Sequence, residues 1–556
     1  MPGDRSRART EKTPVGMPQG VRLLEWARSY QRKDLRADVL AGLTLAAILV
    51  PQSMAYALLA GLPPEAGLYA GTLPALVYAV FGTSRHLSVG PVALVSLLTL
   101  AAIGNASPPG RELETAGVLA LMVGLAHILL GFARLGFLVN YISRPVMVGF
   151  MAAAAVIIAA SQLRGLTGID AERGEDFVSI VRHLVDEAGS IHWTTVAIGG
   201  AAMAILVVWR RVGRGVPGPL LVAAGATLIV WLADLDRHGV DVVGEIPRGI
   251  PGPALDGIGM EVVVDLIPAA IVITLVGYLE SITIAKTYAQ RLGHRVRPNQ
   301  EMVAVGLGNA SAGLVGGYPV AGSFSRTAAD VASGGRTQLS KVVSAIVVIL
   351  VLVALTPILE PLPAAALAAI IIVAVASLID LGEIRRTAVS HRRDFAMLTL
   401  AFFLTLALGV EVGLVAAVVI SLVVLGLRGL TAKVREIPSE PDERFPPGVL
   451  GAAVEGPLTF ANQRGMRRAL ARLVEREGAE SLRAVVLDLS ETTQFDLSAE
   501  RAIVDLVHDY AEGGLEVHVV CPEGPIRELL QRTGLLVRLG PRVHRDLPGA
   551  IVALAP

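Results

Sequence analysis

The chain has 556 residues, of which 53% are apolar and only 17% charged, against roughly 25% charged in ordinary soluble domains, which argues against a conventional cytosolic enzyme. Lys plus Arg and Asp plus Glu both total 48, so no basic field points to nucleic acid. Cys521 stands alone, which excludes a disulfide framework and a Cys-based zinc site.

The charges are unevenly placed: 48 in the 394 positions from Val39 to Ala432, and 27 in the 112 from Phe445 to Pro556. The first stretch reads as membrane and the second as a soluble domain. The 58 Gly and 32 Pro residues suit helices packed closely through small residues and interrupted at chosen points.

Residues 1–38 are polar, carry nine Lys or Arg and do not read as a cleavable leader. The first apolar run, Val39 to Ala60, is long enough to cross ~30 Å of hydrocarbon at ~1.5 Å per residue. Apolar segments follow near 66–82, 91–103, 113–133, 140–162, 193–209 and 217–233. A second set lies near 262–286, 300–317, 325–334, 339–356, 363–379, 395–409 and 411–428. Both sets have seven members. In each the third is too short to span as helix alone and follows a Gly/Pro/Ser break: Ser88-Val89-Gly90-Pro91 in one, Gly317-Tyr318-Pro319-Val320-Ala321-Gly322-Ser323 in the other. Paired short, interrupted segments at matching positions point to the binding site of an inverted-repeat transporter; two ordinary kinked helices are the alternative.

With the N-terminus inside, inner loops hold Arg85, Arg134, Arg210, Arg211, Arg214, Arg291, Arg295, Arg297, Arg336, Arg385 and Arg386, among others. Outer loops hold fewer cations, diluted by acids such as Asp170, Glu172, Asp234 and Asp241. That bias fits an even number of spans with both termini cytoplasmic. Past Arg428 the reading is a polar linker over 433–447, then a small α/β domain over 448–556. Its strands are expected at Ala484–Leu489 and Leu515–Val520, its amphipathic helices at Arg464–Glu477 and Ser498–Ala511.

A half-helix starting in mid-membrane presents unpaired N–H groups and the positive end of its dipole, and buried there it needs an anion or a polar partner. Half-helices beginning at Pro91-Val92-Ala93 and Ser325-Arg326-Thr327 are expected to aim at one spot. Arg326 beside the second break either attracts the anion or serves structure by pairing or snorkelling. Glu280, in Gly277-Tyr278-Leu279-Glu280-Ser281, would repel an anion when ionised. A carboxyl group taken out of water favours its neutral form, which is the physics of proton-coupled anion symport. A fixed Glu280–Arg326 ion pair is the alternative. Pro51 kinks the first span, and Gln52 and Tyr56, four apart, share a helical face that turns either to substrate or to a neighbouring helix.

Three motifs carry a family resemblance: Val50-Pro51-Gln52-Ser53-Met54-Ala55-Tyr56-Ala57, Phe81-Gly82-Thr83-Ser84-Arg85-His86-Leu87-Ser88-Val89-Gly90-Pro91, and Gly322-Ser323-Phe324-Ser325-Arg326-Thr327-Ala328. Together they resemble the sulfate permease (SulP) family over nearly the whole chain. The resemblance implies a polytopic helical membrane protein of fourteen spans, built as two inverted seven-span repeats forming core and gate domains (39–432). It further implies an anion held between the third and tenth half-helices by Gln52, Tyr56, Val92, Ala93, Ser325, Arg326 and Thr327, elevator-like motion and a homodimer. The tail resembles a STAS domain through Val486-Leu487-Asp488-Leu489-Ser490 and Phe495-Asp496-Leu497-Ser498-Ala499. Leu497 stands where STAS-type antagonists carry their phosphorylated serine, with Ser498 next. Ile284 stands four residues after Glu280, where sodium-coupled members have Thr; it offers no oxygen to a hard cation, which favours protons. The expected function is sulfate uptake with Glu280 as the proton-coupling group, in the cell membrane, with no metal or cofactor. A bicarbonate or dicarboxylate carrier, an anion exchanger, or an anion sensor acting on a cytoplasmic partner of the STAS domain are the competing readings. No nucleophile, phosphate loop or metal cluster suggests an enzyme.

Overall fold

The computed structural model describes residues 30–136, 144–169, 177–212, 217–247, 258–390, 392–429, 433–438, 445–459, 462–478, 481–532 and 535–555, with 24, 26, 27 and 249. The chain divides into two compact units, Met1–Ile420 and Ser421–Pro556.

The first unit is helical. Its first half comprises α1 (Leu35–Leu59), α2 (Pro64–Phe81), strand β1 (Val89–Gly90), α3 (Ala93–Ala106), α4 (Glu112–Phe132), α5 (Arg144–Thr167), α6 (Phe177–Asp186), α7 (Trp193–Val212) and α8 (Gly218–Leu232). The second half comprises α9 (Met260–Asp265), α10 (Ile267–Leu292), α11 (Pro298–Leu314), strand β2 (Ala321–Gly322), α12 (Phe324–Ala332), α13 (Leu339–Leu350), α14 (Thr356–Leu359), α15 (Ala364–Val375), α16 (Leu381–Ser390) and α17 (Arg392–Gly429), whose residues from Ser421 on are assigned to the second unit. A helix lies on each of the fourteen apolar segments; residues 140–143 fall outside the described residues. Six helical stretches among the described residues are long and apolar enough to cross a bilayer. The break expected between 409 and 411 is a kink inside α17 at Gly409, whose φ of 82° is open to glycine and costly for other residues.

Packing sorts the helices. α11 lies along α4 and α2, α1 along α13 and α2, and α10 along α4, whereas α15 packs on α5 and α7. The α4–α11 contact is a small-residue seam. A Cβ on Gly124 would sit 2.6 Å from the Ala310 nitrogen, and one on Gly306 2.8 Å from the Gly124 carbonyl oxygen. Such close backbone approach lets dispersion contacts replace the hydrophobic drive that lipid does not supply.

The second unit is a six-stranded sheet with flanking helices: β3 (Lys433–Glu436), β4 (Val449–Leu458), α18 (Gln463–Glu477), β5 (Ala484–Asp488), β6 (Thr492–Phe495), α19 (Leu497–Glu512), β7 (Glu516–Val520), α20 (Pro525–Arg532), α21 (Leu535–Leu539), β8 (Val543–His544) and α22 (Leu547–Ala553). The strand order is β3-β4-β5-β7-β8 with β6 on β4. The segment read as a linker opens with a strand: Lys433–Glu436 pairs antiparallel with Glu455–Ala452. Three of its four residues are charged and Val434 alone is apolar, which suits an edge position, so polarity alone misread it. At the other edge His518 Nδ1 and His544 Nε2 lie 2.9 Å apart, with 19° between the ring planes and 5.2 Å between centroids. The rings therefore meet edge to edge, one nitrogen donating to the other, which requires a lone pair on one ring.

Burial, then the neighbouring His518, draws His544 below the ordinary histidine range, with Asp546 opposing. A histidine depressed in the folded state gives stability that is present above its unfolded value of about 6.5 and is lost as pH falls below it. Hydrogen exchange in β8 and α22 of the full-length protein, corrected for intrinsic rates, is expected to quicken between pH 7.5 and 5.5, and His544→Asn to flatten that dependence. Equal protection at both values would contradict the linkage.

Candidate anion site between two half-helices

The site is built on the shorter of the two sheets among the described residues. β1 and β2 pair antiparallel, Val89 opposite Gly322 and Gly90 opposite Ala321, and the Ser323 amide extends the ladder to the Ser88 carbonyl at 2.9 Å. Each strand ends in a half-helix. α3 starts at Ala93 after an extended Val92, with no side chain capping it. α12 starts at Phe324 with Ser323 as its cap, accepting from the Arg326 amide at 3.4 Å. Two helix N-termini from opposite halves thus flank one strand pair, and their first N–H groups and dipoles favour negative charge.

Arg326 is fully buried. Its Nη1 donates to the Pro91 carbonyl at 2.6 Å and to Gln52 Oε1 at 3.4 Å, so a side chain from one half grips the backbone of the other. Among the described residues its Nε and Nη2 have no hydrogen-bond partner. Gly90 leaves room for the guanidinium, since a Cβ there would lie 3.2 Å from Nη2. Buried donors left unmade cost roughly 1–3 kcal/mol each, more when charged, so the arrangement suits an acceptor such as an anion.

Gln52 and Tyr56 are buried and joined, Gln52 Nε2 donating to the Tyr56 hydroxyl at 3.0 Å. The helical spacing puts both on the face of α1 that reaches Arg326. Val92 and Ala93 are buried and contribute backbone. Ser325 is exposed, as is Phe324 beside it, and the Ser325 hydroxyl lies 3.2 Å from that of Ser323. Thr327 has a structural bond as well: its buried Oγ1 accepts from the Ser88 amide at 3.1 Å, which ties it to the strand junction. Glu280 is half-buried, and its Oε2 is buried without a hydrogen-bond partner among the described residues. No ion pair joins it to Arg326, which faces Pro91 and Gln52 instead. The fixed-pair reading of these two residues is therefore not the arrangement found.

Several supporting residues escaped the sequence reading. Ser281 accepts from the Gly322 amide at 2.8 Å and so holds β2 against α10, one residue from Glu280. Asn309 brackets Val320, accepting from its amide at 2.8 Å and donating to its carbonyl at 2.9 Å. Gln338 donates to the Ser84 and Leu87 carbonyls. Ser96 donates to the buried Tyr318 hydroxyl at 3.2 Å. Buried Glu301 accepts from the Thr83 amide and hydroxyl, the Ser84 amide and the Tyr78 hydroxyl. Asp330 pairs with Lys341 and accepts from Ser340. The rule that singled out Glu280 and Arg326, that charge within an apolar segment is costly, applies equally to Glu301, Asp330 and Lys341.

Residues 35–401 match the model of the sulfate permease family, and residues 440–547 that of the STAS domain. A probable sulfate transporter of Mycobacterium tuberculosis (strain ATCC 25618 / H37Rv) is 36% identical over 541 residues, covering 95% of this chain and 96% of that protein. The chloroplastic sulfate transporter 4.1 of Arabidopsis thaliana is 33% identical, covering 93% and 79%. Among solved structures, the murine solute carrier 26 family member A9 anion transporter in its inward-facing state superposes with a TM-score of 0.87 at 23% identity, covering 98% of this chain and 96% of that one. The transmembrane domain of the cyanobacterial bicarbonate transporter BicA gives 0.62 at 24% identity, covering 70% and 98%; these two likenesses concern the fold. With most of the membrane unit and the tail both matched, the chain belongs to the sulfate permease family and ends in a STAS domain.

Proposed function

We propose that this protein is a secondary active transporter of a small anion, sulfate taken up with a proton, in the cell membrane with both termini cytoplasmic. The observation that carries the reading is Arg326: a buried guanidinium with two unmet donors, set where two opposed half-helices begin. The name shared by the relatives in Mycobacterium and Arabidopsis supports sulfate as the anion. The anion lies between the first turns of α3 and α12, with Arg326, Gln52, Tyr56, Ser325 and the Val92–Ala93 backbone around it, and Thr327 holding the junction.

Fourteen spans in two inverted repeats fit the two sets of helices, with α1–α4 and α10–α13 as core and α5–α8 and α15–α17 as gate. The core moves against the gate in an elevator-like cycle, and the protein works as a homodimer whose STAS domain offers a surface to a cytoplasmic partner. Glu280 carries the proton. Ionised, it repels an anion entering beside it; protonated, it does not. Ile284, buried on α10 four residues later, supplies no oxygen for sodium.

Uptake of labelled sulfate, bicarbonate and fumarate into proteoliposomes, with and without a pH gradient, tests the reading. Sulfate accumulation driven by inward-directed protons is the expected outcome. Bicarbonate or fumarate in its place would change the substrate, gradient-independent exchange would remove symport, and binding without any uptake would leave a sensor. Arg326→Ala is expected to weaken sulfate binding by roughly 10- to 150-fold, the loss of one hydrogen bond to a charged group; unchanged affinity would give Arg326 a structural role. Glu280→Gln is expected to abolish gradient-driven uptake while leaving equilibrium sulfate binding close to wild type, and a variant that still accumulates sulfate against its gradient would sink the coupling role.

A further inference from the structure

The ten-residue helix α6 stands apart from the candidate site, between α5 and α7. The His192 amide donates to the Thr167 carbonyl at 3.0 Å, so the end of α5 and the start of α7 lie side by side. α5 is long and apolar enough to cross a bilayer and α7 is a shorter apolar helix; their meeting fixes the level of what connects them, and α6 packs against α5 there.

At ~100° per residue the apolar side chains of α6 form one continuous arc. One half of it faces the protein: Ile180 is buried, and Phe177 and Leu184 pack on the core of the membrane unit. The adjoining half faces outward, with Val181 37% exposed, Val178 66% and Val185 68%. Arg182 and Asp186, on the opposite side of the helix, are exposed as well. A helix meant to sit in water has polar residues where α6 places valines; one meant to be enclosed by protein has no reason to keep half its apolar arc outside.

α7 gives the depth. Trp193, its first residue, is 75% exposed, and the stripe Trp193, Ala197, Ala201, Ile205 and Val208 is exposed along the whole helix, the pattern of a lipid-facing surface. Trp at the end of such a stripe marks the boundary between headgroups and acyl chains. The bond from His192 to Thr167 brings α6 to that boundary.

We propose that α6 is an interfacial helix, lying in the plane of the bilayer with Val178, Val181 and Val185 immersed at the headgroup–acyl boundary, and that it anchors the α5–α7 part of the molecule to the lipid surface. The occupant of the outward valine strip is lipid, because the strip is continuous in level with the lipid-facing stripe of α7 and its opposite face carries charge, the combination that holds a short amphipathic helix at an interface.

The test uses full-length protein in phosphatidylcholine vesicles, with Trp26, Trp193, Trp209 and Trp231 replaced by Phe and a single Trp introduced by Val185→Trp, Val178→Trp or Asp186→Trp. A protein keeping Trp193 alone reports insertion and depth. Bromine placed near the headgroup end of the lipid chains is expected to quench the tryptophans at 178 and 185 several-fold more strongly than the one at 186, and more strongly than bromine at the chain ends. Trp193 is expected to show the same shallow profile. Quenching at 178 and 185 no greater than at 186, with Trp193 quenched, would overturn the proposal. So would protection of 178 and 185 that weakens as protein is diluted into excess lipid, since that would make a second copy of the chain the occupant.

Discussion

The whole membrane unit turns on two pairs of opposed residues, Val89 with Gly322 and Gly90 with Ala321. A chain that stops being helical inside a bilayer frees N–H and C=O groups that hydrocarbon cannot satisfy. Here the two interruptions satisfy each other by forming the smallest possible antiparallel ladder. That solution demands that the interruptions lie at the same depth and run in opposite directions, which two inverted repeats provide. It leaves the first N–H groups of α3 uncapped by any side chain, and it brings Arg326 of one half within 2.6 Å of the Pro91 carbonyl of the other. The anion-binding character proposed for the site is thus a consequence of how the strand pair ends.

A two-residue ladder is too small to hold itself, and the structure supplies braces from the surrounding helices. Asn309 on α11 brackets Val320, and Ser281 on α10 holds Gly322. The loop leading to β1 is held by Glu301 on α11 and Gln338 before α13. Asp38 near the start of α1 accepts from the Arg336 and Thr337 amides, tying the first helix to the turn that follows α12. Most of these braces cross from one half of the unit to the other, so neither half forms its portion of the site alone. Buried carboxylates such as Glu301 are tolerated because four donors replace the water they lose.

Much of this was legible in advance because the strongest signals are local. Apolar runs, the paired breaks at Pro91 and Pro319, and the kink at Gly409 are written in consecutive residues. Arg326 and Glu280 stood out as charges in apolar surroundings. What could not be read was the partner of each polar group, since many of those partners lie more than two hundred residues away. Thr327 sat in a motif that suggested a ligand, and its bond to the Ser88 amide was not visible there. A fixed Glu280–Arg326 pair was one of two readings, yet the bonds the guanidinium makes run from Nη1 to Pro91 and Gln52. The strand Lys433–Glu436 was hidden because an edge strand with charged alternate positions resembles a linker until its partner, β4, is known.

The distribution of the site residues bears on how the proposed transport cycle is coupled. Gln52 lies on α1, Val92 and Ala93 at the start of α3, Glu280 on α10 and Arg326 on α12. These helices are joined by the glycine seam between α4 and α11 and by the cross-repeat braces. Packing density of that kind transmits displacement and resists internal rearrangement. The helices α5, α7 and α15 instead pack among themselves and meet the core chiefly along α1 and α3. A motion at that border would carry the proposed anion donors and Glu280 together, with their mutual distances preserved. Coupling then requires no signal relayed from Glu280 to a remote gate: its charge alters the electrostatic cost of moving the loaded or empty core as one body, because an unpaired buried charge is penalised wherever the site goes.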